Sequence, residues 1–126
     1  MFLRFTTLKI DEDSKKPEGI FTAAYALLDS GELVPEEWHQ LRAILDWYKT
    51  HLPTPPKRFE PSRAIFWFKA NATENIDHIW ALVSVLRAHG RHVTVYKCRH
   101  LGNILYQDSI QVAAYPSGHD GRITIQ

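Results

Sequence analysis

Hydrophobic and polar positions change period several times along this chain, and each change marks an element. From Phe2 to Ile10, the set Phe2, Arg4, Thr6 and Leu8 alternates against Leu3, Phe5, Thr7 and Lys9, the two-residue period of a strand. The charged run Asp11 to Lys16, closed by Pro17, reads as a solvated connection. Ile20, Ala24, Leu27 and Leu28 then fall on one stripe of a short helix ending at Ser30-Gly31. Val34-Pro35-Glu36-Glu37 starts a second helix, with proline near the first helical position and two acids at the positive end of the dipole. Its buried stripe is Trp38, Leu41, Leu45, Tyr48 and Leu52, widened by Ile44 and Trp47, so the two helices read as an αα-hairpin.

Pro53-Thr54-Pro55-Pro56 ends that helix, and the run to Pro61 is expected to be extended. Arg63 to Lys69 holds five consecutive apolar residues, Ala64 to Phe68, as a strand buried on both faces would. Asn71 and Glu74 have the spacing of a capping box, with Thr73 as the alternative cap. Ile76, Ile79, Trp80, Val83 and Leu86 give the stripe of a helix running to about Ala88, and Gly90 supplies its stop. His92 to Arg99 is the next strand. A strand, one helix and a strand over residues 63–99 predict a parallel, right-handed βαβ crossover. Asn103 to Gln107 and Ile110 to Tyr115 read as a hairpin about Asp108-Ser109, and Arg122 to Ile125 as a last strand after a turn at Pro116 to Gly121.

The expected fold is therefore α+β with an α/β-like core: a mixed sheet of four or five strands, one crossover helix, and an αα-hairpin between strands 1 and 2. Composition adds that one domain, residues 1–126, is enough. The 126 residues are 44% hydrophobic, ample for a single core. A lone cysteine, Cys98, excludes an intrachain disulfide, and Met1 to Phe5 lead into Thr, Lys and acids rather than the apolar core of a signal peptide. With no window resembling a membrane span, the expected location is the cytoplasm.

Charge changes the picture through its distribution. The formal net charge is only +1, yet no acid occurs between Asp77 and Asp108, a stretch carrying Arg87, Arg91, Lys97 and Arg99 with four histidines. If strands 63–69 and 92–99 are parallel neighbours, Lys69, Asn71 and Thr73 meet Lys97, Arg99 and His100 at one rim, beside a helix N-terminus. Such a rim suits a phosphate-bearing ligand or a nucleic-acid backbone, with Arg99 offering a planar bidentate donor. The bland reading is that the cations mark where strands reach water and that Asn71 and Thr73 merely cap. The loop is not glycine-rich, so neither a P-loop nor a dinucleotide fingerprint is present and no cofactor is implied.

Four further readings have less support in the residues. Cys98 between Lys97 and Arg99, with His100 two positions on, is the one candidate for a small enzyme's nucleophile, but alternation cuts against it by making it a buried hydrophobe, and the sequence places no base beside it. His89 with His92, or Cys98 with His100, matches no zinc spacing, so no metal is expected. Trp67, Tyr96 and Tyr106 are candidates for stacking on bases, against the commoner role of such residues as core. The uncharged run Ile110 to Tyr115, if it lies at a sheet edge, invites homodimerisation and makes a non-enzymatic interaction module the alternative.

Overall fold

The computed structural model describes residues 1–10, 17–54, 65–115 and 123–125. The expected loop at 11–16, the polyproline-like run from 55, the first two residues of the 63–69 strand and the turn at 116–121 lie outside them. In chain order the elements are β1 (Phe2–Ile10), β2 (Pro17–Gly19), α1 (Ile20–Leu28), α2 (Pro35–His51), β3 (Ile65–Lys69), α3 (Thr73–Ala88), β4 (Val93–Cys98), β5 (Ile104–Gln107), β6 (Gln111–Ala114) and β7 (Ile123–Ile125). No helix among the described residues is long and apolar enough to cross a membrane.

The class is α+β, but the sheet is not the expected one. Among the described residues its seven strands run in the order β5-β6-β3-β1-β4-β7, with β2 on β1, and every pairing is antiparallel. The parallel βαβ crossover is overturned by where β1 lies. It pairs with β3 on one side and with β4 on the other, so the two strands joined by α3 are not neighbours. Hydrophobic pattern gives each strand its period and its burial, but nothing in it says which strand occupies the slot between two others. The β1 strand takes that slot through its first residues, Phe2 and Leu3, which pair with Lys69 and Phe68 on one side and with Cys98 and Lys97 on the other.

Residues directly opposite in an antiparallel pair point to the same face, so the register sorts the side chains. Leu3 and Phe5 of β1, Phe68 of β3, and Val93 and Val95 of β4 face the helices. There they join one cluster with Ile20, Ala24 and Leu27 of α1, Leu41, Leu45 and Tyr48 of α2, and Ile79, Leu82, Val83 and Leu86 of α3. Trp38 and Trp80, read as part of the buried stripes, are each 37% exposed at the margins, Trp80 meeting Phe5 edge-on with ring centroids 5.4 Å apart. The α2–α3 seam is aromatic. Trp47 stacks on His51 at 4.2 Å and on His78 at 3.6 Å, while the buried Tyr48 hydroxyl donates to the main-chain oxygen of Asn75.

The opposite face carries a second, smaller cluster: Ile65, Trp67 and Cys98, with Phe2, Tyr96 and Leu101 packed against it. Trp67 is 2% exposed. The core reading of Trp67 and Tyr96 holds here, and the free-edge reading of Ile110 to Tyr115 fails. Trp67 is core and unavailable for stacking on bases, and Tyr96 is packed with it. The Ile110 to Tyr115 run yields β6, an interior strand paired with β3 and β5 and buried throughout, so it presents no free edge to a second copy. The edge is β5.

Candidate functional site

The expected rim is divided rather than closed. Phe2 is the register partner of Lys69 on one side and of Cys98 on the other, and the Ala70 amide donates to the Met1 oxygen at 3.1 Å. The tips of β3 and β4 therefore do arrive at one end of the sheet, but with the start of β1 between them. Two strand spacings put them about 10 Å apart. Alternation then splits the cations. Lys69 shares a face with Phe2 and Cys98, away from the helices, whereas Lys97, opposite Leu3, lies on the helical face. Both are half-buried; Arg99 and His100, past the end of β4, are exposed.

Nor do Asn71 and Thr73 cap. The chain makes a turn in which the Ala72 amide donates to the Lys69 oxygen at 3.0 Å, and α3 begins from Ala72 with no side-chain cap bond. The Asn71/Glu74 spacing was a real signal with the wrong outcome, because this tight turn sets the helix start one residue late for the box. Asn71 and Thr73 are exposed.

What the rim does have is lysine and arginine charge that no acid among the described residues pairs with. Among the described residues the ion pairs are Lys9–Glu18, Arg42–Asp46, Lys49–Asp46, His89–Glu37 and Arg91–Glu32, and none involves Lys69, Lys97, Arg99 or His100. The one acid of the neighbouring β5–β6 turn is occupied. Asp108 accepts the Ile110 and Gln111 amides at 2.8 and 2.9 Å and the Tyr106 hydroxyl at 2.8 Å. Burial pushes this carboxyl up, but those bonds outweigh it and hold it below its ordinary value. The same bond draws the Tyr106 hydroxyl into the turn rather than toward a ligand.

Cys98 is 1% exposed, and its Sγ lies 3.0 Å from the main-chain oxygen of His100. The thiol sits in the second apolar cluster, where a substrate does not reach it. His89 is held by Glu37 at 3.0 Å, and no group of three metal-ligating side chains exists among the described residues.

Sequence reading missed the contacts that tie the far end of α3 to the start of α2. Arg91 bonds both oxygens of Glu32, at 2.5 and 3.3 Å, and His89 bonds Glu37. The Arg91 hydrogen bond holds the Glu32 carboxyl below its ordinary value, and that bond in turn raises Arg91. Glu37 is lowered chiefly by the Val34 amide that it caps at 3.1 Å, with His89 adding to it. More than fifty residues separate the partners of each ion pair, so no spacing rule brings them together. Comparison of the chain with protein-family models, with curated proteins and with solved structures gives no match.

Proposed function

We propose that the protein is a binding module for a nucleic-acid backbone, which lies across the end of the sheet where β1 begins and β3 and β4 finish. One observation carries this reading: Lys69, Lys97, Arg99 and His100 lie at one sheet end, spread over both faces and both sides of β1, and none has a carboxylate partner among the described residues. Their arrangement favours an extended polyanion over a single phosphate. With β1 between the two strand tips, one phosphate group cannot bridge cations about 10 Å apart, whereas successive phosphates of a strand can each take one. The reading calls for no cofactor and no chemistry at Cys98.

The test is fluorescence anisotropy of a labelled single-stranded oligonucleotide against salt. Binding is expected to weaken with a log–log slope that becomes shallower by about 0.7 for each phosphate contact removed, so Lys69→Ala and Arg99→Ala together flatten it by roughly 1.4. No binding at low salt, or a slope indifferent to both substitutions, overturns the reading. Saturable binding of inorganic phosphate at residues 69–73 and 97–100, with no affinity for the oligonucleotide, would replace it by a small-ligand site.

A further inference from the structure

At the other end of the sheet, where α3 turns into β4, lies an open cavity of about 450 Å³ lined by Arg87, Gly90, Arg91, His92 and Val93. It is an open groove rather than an enclosed chamber, so it suits a small polar head group and not a ligand that needs full burial. We propose that it is a second, independent site, for a small organic oxyanion: a carboxylate or a phosphate ester whose anionic head is read by Arg87 with support from Arg91 and His92.

Three features of the turn argue for this. First, the lining carries cations and no acid. The negative end of α3, which would repel an anion, is largely occupied by protein donors. The Arg91 amide donates to the Leu86 oxygen at 2.9 Å, the Gly90 amide to the Arg87 oxygen at 3.1 Å, and Arg91 Nη1 to the His89 oxygen at 2.8 Å. Second, the guanidiniums are held in place before any ligand arrives. Arg87 Nη2 donates to the Val93 oxygen at 2.9 Å, and Arg91 is braced by Glu32. One bond to Val93 uses one of the five N–H groups of Arg87, leaving an oriented fork whose ordering cost is already met by the fold. Third, the wall is open where a head group must approach the backbone. Gly90 has φ +78°, and a Cβ built on it would meet nothing within 4 Å. The glycine is required by the left-handed turn, and its missing side chain leaves the space free.

The Arg91–Glu32 pair places a limit on the site. Glu32 neutralises much of the charge of Arg91, so selectivity falls to Arg87, and a planar bidentate head is favoured over a spherical anion. Arg87 is exposed, and its removal leaves the capping bonds of the Gly90 turn in place.

The test is amide chemical-shift titration of the full chain with two probes, inorganic phosphate and succinate, to about 10 mM, roughly ten times a millimolar Kd. Saturable shifts confined to residues 87–93 with either probe are the expected result, phosphate or succinate preference naming the head group. Arg87→Ala is expected to weaken binding at least tenfold and Arg87→Lys severalfold, both with otherwise native spectra. His92→Ala, on an exposed side chain, guards against a folding artefact and is expected to weaken binding less. Linear, unsaturable shifts, or saturable ones that Arg87→Ala leaves unchanged, overturn the proposal. Shifts at 69–73 and 97–100 alone would also overturn it, while bearing only on the rim at the opposite end.

Discussion

Truncating Trp67 to alanine tests the layering of this fold more sharply than any other single change. The side chain is 2% exposed and packs with Ile65 and Cys98 on the face that α1, α2 and α3 do not cover. Removing it forfeits the transfer free energy of an indole and leaves a cavity lined by a short strand segment that has little freedom to collapse. The expected cost is about 3–5 kcal/mol. For a chain of this size each kcal/mol lowers the melting temperature by about 4 °C, so the midpoint should fall by roughly 12–20 °C. Trp38→Ala is the matched control: the same side chain, 37% exposed at the start of α2, with an expected cost below about 1 kcal/mol. Urea unfolding followed by far-UV circular dichroism measures both, with equal m-values as the check that the denatured states are comparable. Equal costs for the two substitutions would mean that the second face is not a packed layer, which would refute the two-faced sheet.

Two further substitutions probe polar contacts. Tyr48→Phe keeps the ring against Phe21 but removes the buried hydroxyl that donates to the Asn75 oxygen; a loss of about 0.5–1.5 kcal/mol in urea unfolding is expected, and no loss would show that this bond contributes nothing. Asp108, Glu32 and Glu37 all have their carboxyls lowered in the folded chain, so each contributes stability that is complete above the ordinary carboxylate value of about 4 and is lost as pH falls through its lower folded value. Unfolding free energy should therefore decline below about pH 4, and Asp108→Asn should make that decline shallower while lowering stability at pH 7. An unchanged acid limb in Asp108→Asn, followed by urea unfolding across pH, would remove the turn carboxylate from the account.

The helices were legible because each one carries a stripe with a period of its own. Leu41, Leu45 and Tyr48, or Ile79, Val83 and Leu86, recur at the helical spacing and are buried where that spacing puts them. The Ile104/Gln107 and Gln111/Ala114 hairpin could be read for a similar reason, since Asp108 folds the turn from within it. The start of α3 was less legible. Asn71 and Glu74 carry a capping pattern, yet the Ala72–Lys69 turn decides the boundary. The candidate rim was legible as a set of residues but not as a shape: Lys69, Lys97, Arg99 and His100 do reach one end, and the pattern contains nothing to show that β1 would part them. The Arg87/Arg91/His92 cavity had no signal beyond a local lack of acids, because its shape comes from the Schellman-type turn and the brace from Glu32.

By itself, then, the sequence determined the local periods: where strands and helices run, which side chains seek burial, and how charge is distributed. Those properties depend on neighbours within a few residues. Only the tertiary structure decided strand order, and with it where the candidate site residues lie. Which strand pairs with which is set by competition among all the available edges for backbone hydrogen bonds and for a matching apolar face, a comparison of long-range alternatives to which a local pattern is blind. The insertion of β1 between β3 and β4 converted an expected pocket into a divided cationic edge, and the same packing placed two arginines around an opening at the other end of α3.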